Sequence, residues 1–261
     1  MSPVRLSPQA VSFDEPHIVT RLGLIALATD LTSERDYARL LPRDNIALHT
    51  ARVAYENPTT PENLIKMTPR LTAAADLLAP GTELAAIAYG CTAASVVIGD
   101  DAVASAINAA RPGVPVVTPT GAARLAMRAL GVQRLAVLAP YVIETSEPMA
   151  AYFTRHGFDI VRFECFGIED DRDIARVGAA PILEASLGLV DDKVDGLFIT
   201  CTALPALGVI GEIEARTGKP VITSNQASIW AMMRHAGLSA AIDGYGRLFA
   251  HDLPSGAGDA P

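Results

Sequence analysis

Eight short apolar runs, spaced along the whole chain, limit what it can fold into. They read RLGLIALA (21–28), NIALHTARVA (45–54), LAAIAYGC (84–91), VPVVTP (114–119), RLAVLAP (134–140), DIVRFECF (159–166), DGLFITCT (195–202) and PVITSN (220–225). Most are apolar without a break, so a strand made from them must be covered on both faces. Helical patterns lie between them, over 61–79, 121–130, 144–156, 171–189, 206–217 and 226–236. Short buried strands alternating with helices predict parallel strands with helices on each side of a sheet. The fold class is therefore α/β.

At 261 residues, half of them apolar, the chain can form one large or two small domains with a true core. Its 21 basic and 29 acidic side chains give a formal charge of −8. There is no basic stripe, so a nucleic acid is not the expected partner. No apolar run reaches the ~20 residues of a membrane span. The nearest, Leu84 to Gly99, is broken by Gly90 and Thr92. MSPVRLSPQAVSFDEPHIVT has no apolar core of a signal peptide, so the expected location is the cytoplasm, away from membranes. Three cysteines in a reducing compartment read as thiols. Residues 1–16 and the closing HDLPSGAGDAP read as loose tails.

The chain also carries a faint repeat. GVPVVTPTGAARLAMRALG (113–131) resembles GKPVITSNQASIWAMMRHAG (218–237), with Thr118 against Thr223 and Ala126-Met127 against Ala231-Met232. RLGLIALA resembles RLAVLAP in the same way. A succession of generic strand–helix units would give a similar rhythm. The cysteines favour a repeat: Cys91 and Cys201 each open the tripeptide Cys-Thr-Ala at the end of a strand-like run. Two related lobes follow, one of residues 1–119 plus 226–261 around Cys91, the other of residues 120–225 around Cys201. A pseudo-twofold between them would set the two sulfurs face to face across a cleft.

In parallel α/β sheets, ligands bind beyond the carboxyl ends of the strands, where Cys91 and Cys201 should lie. A following helix offers free N–H groups and the positive end of its dipole, which suit a carboxylate and lower a thiol's pKa. Cys165, inside VRFECF, reads instead as a small apolar side chain. His17, His49, His156, His235 and His251 show no metal spacing, and no phosphate loop or dinucleotide motif occurs, so no metal or cofactor is expected. The charge run EDDRD (169–173) reads as a solvated helix start, and Trp230 as core.

The paired cysteines, GLIALATDLTSERDY (23–37), VLAPYV (137–142) and GYGRLF (244–249) together resemble the aspartate/glutamate racemase superfamily. Within it the chain looks most like the maleate isomerase and arylmalonate decarboxylase branch, over about residues 20 to 250. It is similar, further, to the ectoine-utilisation proteins placed there. The resemblance implies a cofactor-independent isomerase with a small carboxylate or amino-acid-like substrate, and a homo-oligomer. It assigns Cys91 and Cys201 as the two acid–base or nucleophilic groups and Tyr141 as a donor to the substrate carboxylate. Backbone N–H groups of Thr92, Ala93, Thr202 and Ala203 would serve the carboxylates, with Thr223 and Ser224 as further candidates at the same edge.

One departure from the branch carries information. Maleate isomerases have a Pro-Ser-Ser-Asn-like turn after the first strand, and its Asn holds a substrate carboxylate. Here the turn reads LATD, with Asp30 in that place. A carboxylate there repels a second carboxylate and suits an amine, amidine or hydroxyl. Alternatively Asp30 caps the next helix, a role Thr32 or Ser33 could also fill. With Asp30 facing substrate, the resemblance implies a racemase or epimerase of an amino-acid-like intermediate of ectoine or hydroxyectoine breakdown. The alternatives are a maleate-type cis–trans isomerase, a decarboxylase, and a two-lobed binding protein.

Overall fold

All eight runs form strands, and all eight strands are parallel to their neighbours. The computed structural model describes residues 3–14, 19–42 and 44–255, so His17 lies outside the described residues. The strands are β1 (Thr20–Leu27), β2 (Ile46–Val53), β3 (Ala86–Gly90), β4 (Val116–Val117), β5 (Arg134–Ala139), β6 (Asp159–Cys165), β7 (Gly196–Ile199) and β8 (Val221–Thr223). They make two four-stranded sheets, ordered β2-β1-β3-β4 and β6-β5-β7-β8. Each sheet thus runs second, first, third, fourth in its own strand order, the arrangement expected of two related lobes.

Burial explains the order. Leu22, Leu24 and Ile25 of β1, and Leu135, Val137 and Leu138 of β5, are fully buried, and these strands are central. Each such side chain contributes ~1.5–3 kcal/mol by leaving water. β2 and β6 carry the polar alternation of HTAR and VRFE, and both stand at sheet edges with half-buried residues. Trp230 is in the core, as its neighbours predict, with its indole N–H on the His251 carbonyl at 2.8 Å.

Proline divides two of the predicted helices. The 61–79 segment forms Pro61–Ile65 and Thr68–Asp76, so Pro69 falls in a first turn, where no N–H is needed. The 171–189 segment forms Asp171–Ile174 and Ala179–Leu189, which puts Pro181 in the same safe position. The helices expected after Asp30 and after Cys91 are Ser33–Leu40 and Thr92–Ile98, and the structure adds Asp100–Asn108. Thr92–Ile98 escapes a reading by periodicity because its apolar TAASVVI continues the apolar strand before it.

The faint repeat has a structural counterpart. Thr118 just follows the fourth strand of its sheet and Thr223 ends the fourth strand of the other, and each caps the next helix, through Gly121 N–H and Gln226 N–H. Those helices, Pro119–Ala129 and Ser224–His235, carry the two Ala-Met pairs and pack against each other. The second of them also packs on β3 and on the helix Ser33–Leu40, which returns the end of the chain to the first sheet.

Candidate active site between the two lobes

Cys91 follows the last residue of β3 and opens the helix Thr92–Ile98. Its Sγ accepts the Ala94 N–H at 3.4 Å, taking a place usually held by a hydroxyl. Gly90 before it has no room for a side chain, since a Cβ would stand 3.2 Å from the Ile25 carbonyl oxygen. Cys201 lies two residues beyond β7. Here the two halves differ: a turn follows, not a helix, and Cys201 holds φ at +88°. That left-handed backbone strains any residue but glycine. The Tyr141 hydroxyl and the N–H groups of Ala203 and Leu204 are the groups that favour a charged sulfur at Cys201. Strain retained at a ligand-facing thiol is a mark of use.

Both thiols line one cavity. From the first lobe come Asp30, Tyr55, Thr59 and Cys91; from the second, Tyr141, Asp171, Cys201, Thr202 and Ala203. The cavity is tight, with a volume of about 10 Å³, room for roughly one water. One wall is two loops, 54–60 after β2 and 166–171 after β6, tied together across the lobes. Thr59 N–H donates to the Glu169 carbonyl at 3.0 Å, and Asp171 N–H to Asn57 Oδ1 at 3.3 Å. A second tie joins the cysteine turns themselves: Thr202 Oγ1 donates to the Gly90 carbonyl at 2.8 Å.

The sequence-derived candidates divide by position. Asp30, Cys91, Tyr141, Cys201, Thr202 and Ala203 share the cavity wall. Asp30 does two things there. Its Oδ1 accepts Thr32 and Ser33 N–H groups, each at 2.8 Å, so it caps the helix Ser33–Leu40 while it faces the cavity. Thr92 and Ala93 are buried behind the wall, in the first turn of the Cys91 helix. The Thr92 hydroxyl donates to Ser224 Oγ at 2.8 Å and joins the lobes. Thr223 and Ser224 do not line the cavity; the Thr223 hydroxyl caps its helix and Ser224 receives Thr92.

Periodicity and composition miss Asp171 and Tyr55. The charge run 169–173 does start a helix and is solvated at Arg172 and Asp173. Asp171 is the correction: it is 5% exposed and forms part of the cavity wall. Thr29 Oγ1 donates to its Oδ2 at 2.6 Å. Its position just past β6, at the carboxyl edge of the sheet, is the signal that could have found it. Tyr55, just past β2, carries the same signal, and its hydroxyl donates to Thr59 Oγ1 at 2.7 Å.

A family model described as arylmalonate decarboxylase matches residues 60–249 of the chain, most of its length and both cysteine turns. The chain belongs to the arylmalonate decarboxylase family. Among curated members, the maleate isomerase of Nocardia farcinica is 26% identical over 246 residues, spanning 90% of this chain and 97% of that protein. The arylmalonate decarboxylase of Bordetella bronchiseptica is 34% identical over 140 residues, 52% of this chain and 58% of that one. The crystal structure of the maleate isomerase Iso from Pseudomonas putida S16 superposes with a TM-score of 0.81 at 25% identity, covering 92% and 99% of the two chains. A variant of the N. farcinica maleate cis–trans isomerase, at TM-score 0.81 and 25% identity over 89% and 98%, holds a covalently bound succinylcysteine intermediate. Isomerases and a decarboxylase thus share this family's two-sheet fold.

Family membership sharpens the question of charge in the cavity. Burial pushes the Cys201 thiol up to about 12, and the Asp171 carboxylate adds to the effect against the hydrogen bonds from Tyr141, Ala203 and Leu204. Burial also pushes Cys91 well above the ordinary thiol range, against its bond from Ala94, with Asp171, Cys201 and Asp30 adding to the rise. Against the expectation that a helix N-terminus frees a thiolate, desolvation outweighs the local N–H groups at both cysteines. Burial lifts Asp171 likewise, to about 6, and raises Asp30.

The same physics reaches Asp36, behind the site. It is 1% exposed, Asn225 Nδ2 donates to its Oδ2 at 2.8 Å, and its Oδ1 has no partner among the described residues. Burial lifts its carboxyl from 3.8 to about 6, more than Asn225 lowers it. The folded value exceeds the unfolded one, so its stabilising contribution is whole below about pH 3.8 and lost as pH rises through about 6. Asp36→Asn cannot ionise. Denaturant melts should find it more stable than wild type by ~1–3 kcal/mol at about pH 8, with the gain gone below about pH 4.

Proposed function

We propose that this chain is a cofactor-independent isomerase that works through Cys91 and Cys201 on a small carboxylate. The observation that carries the reading is one cavity with both thiols in its wall, each from the end of the third strand of its sheet. In the finer form of the reading, the substrate is an amino-acid-like intermediate of ectoine or hydroxyectoine breakdown, and the reaction is racemisation or epimerisation. One thiolate removes the α-proton; the opposite thiol returns a proton to the other face. N–H groups at the two cysteine turns and the Tyr141 hydroxyl hold the carboxylate and the enolate-like charge that develops on it. Asp30, and a cavity wall that among the described residues holds no basic side chain, favour this over a dicarboxylate substrate. The lobe division at residues 119 and 225, with the last helix returned to the first lobe, belongs to the same reading.

Thiolate addition is the second reading, and a relative favours it: the succinylcysteine of the N. farcinica enzyme is a cysteine joined to a four-carbon acid. In that route a thiolate adds to a double bond, the new single bond rotates, and the thiolate leaves. Turnover in D₂O separates the two. Racemisation sends the α-proton to a thiol that exchanges with solvent, so product should carry deuterium at the α-carbon with no loss of carbon. Addition and elimination at a double bond leaves that carbon–hydrogen bond intact. Unlabelled trans product from maleate would overturn the racemase reading. Deuterated product lighter by CO₂ would make the chain a decarboxylase.

A further inference from the structure

We infer that Asp171 is the residue that selects substrate charge in this cavity, by holding a cationic group of a zwitterionic substrate whose carboxylate sits at the cysteine turns. The inference rests on the two-cysteine reading for where the carboxylate goes. Everything else in it comes from the surroundings of one side chain.

Asp171 is 5% exposed, and what exposure it has is toward the cavity it lines. Thr29 serves its Oδ2. Among the described residues nothing donates to Oδ1, an unserved acceptor on a buried side chain in the cavity wall. Asp30 shares that wall, but its oxygens are already taken by Thr32 and Ser33. Among the described residues, no lysine, arginine or histidine lines the cavity. Arg52 is the cation near Asp30, and its hydrogen bonds go to the carbonyls of Leu27, Ala28 and Asp30 and to Glu34. Among the described residues, the charges that act on Asp171 are Asp30 and Asp170, and both are like its own. A buried carboxylate with one open oxygen and only acidic neighbours keeps its charge at a cost, which a positive partner relieves. That partner would arrive with the ligand. An ammonium or amidinium relieves the cost, and a second carboxylate of a diacid adds to it.

The same arrival would assist the chemistry. Asp171 is among the groups that hold both thiols protonated. A cation beside it cancels that part of the rise and leaves burial, the larger cause, in place. Tyr55 and Thr59, on the facing loop, complete the wall around Asp171.

The test reads the charge preference of the cavity directly, through its own thiols. Cys91 and Cys201 are alkylated with 2-bromoethylammonium and with iodoacetate, and the rates are followed by mass spectrometry of the labelled peptides. Each rate is divided by that of a free small thiol under the same conditions, which removes the intrinsic reactivity of the reagents. In wild type the normalised rate should favour the cationic reagent. In Asp171→Asn, which still accepts from Thr29, that preference should fall by roughly tenfold or more, since a charge at close range in a buried site is only weakly screened. Asp171→Ser, smaller and also uncharged, must move the ratio the same way. An unchanged ratio, a wild-type preference for iodoacetate, or no labelling of either cysteine would overturn the assignment. The outcomes stay separable from the reading beneath it. Turnover that survives in Cys91→Ala or Cys201→Ala ends the two-cysteine cycle, yet leaves the charge ratio readable at the remaining thiol. An unchanged ratio in Asp171→Asn ends the charge assignment and leaves the cycle standing.

Discussion

Cys91→Ala and Cys201→Ala should each cut turnover by at least ~10³-fold, while Cys165→Ala should leave it within about twofold of wild type. The size follows from the work asked of each sulfur: a positioned acid or base is worth ~10²–10⁴ in rate, and a two-base cycle stops if either is missing. Cys165 ends β6, an edge strand, and does not line the cavity. Steady-state assays on purified variants check the pattern. Loss of fold is a competing explanation for inactivity, and the backbone at Cys201 supplies a control. Its φ of +88° costs a non-glycine residue ~1–3 kcal/mol. Cys201→Gly should therefore melt above Cys201→Ala while being equally inactive. Activity retained in either the Cys91 or the Cys201 alanine variant would reject a two-cysteine cycle and revive a one-cysteine decarboxylase.

Much of this architecture was legible in the chain because its signals are redundant. A central strand such as LGLIAL announces itself by unbroken apolar character, and its edge neighbour by polar alternation in HTAR. Cys91 and Cys201 could be paired on paper because each opens the same tripeptide at a strand end, and each end faces one cavity. The misses share a cause: they depend on which neighbour a residue meets in space. Asp171 sits in a run whose composition is that of a solvated helix start, and two of its neighbours are indeed solvated. Only the closeness of the two loops, one from each lobe, buries it. The thiol pKa failed for a related reason. A helix N-terminus can be seen in a sequence, but the burial that outweighs it exists only in the folded chain. The resemblance gives Thr92 and Thr202 a role through their backbone N–H groups, and their hydroxyls have a second one: they join the lobes, to Ser224 and to Gly90. That work has consequences for catalysis.

Thr202→Val should lower kcat by up to ~10²-fold without touching either sulfur. Thr202 follows Cys201, and its hydroxyl donates to the carbonyl of Gly90, the residue before Cys91, at 2.8 Å. One hydrogen bond thus fixes the spacing of the two cysteine turns. The Thr202 carbonyl is held in turn by Asn225 Nδ2 at 2.9 Å, so the turn is pinned from both sides of its peptide. Valine keeps the shape and removes the donor, which leaves the buried Gly90 carbonyl without that partner at a cost of ~1–3 kcal/mol. The loss falls where tolerance is least: a two-face proton transfer needs both sulfurs at reacting distance from one carbon, and a displacement of ~1 Å can cost ~10² in rate. Thr202→Ser restores the hydroxyl and should recover most of the activity. Joint measurement of kcat, KM and the melting curve distinguishes the causes. A positioning role predicts that kcat falls far more than KM changes, with rescue by serine. A loss confined to the melting temperature would reduce this hydrogen bond to a structural tie.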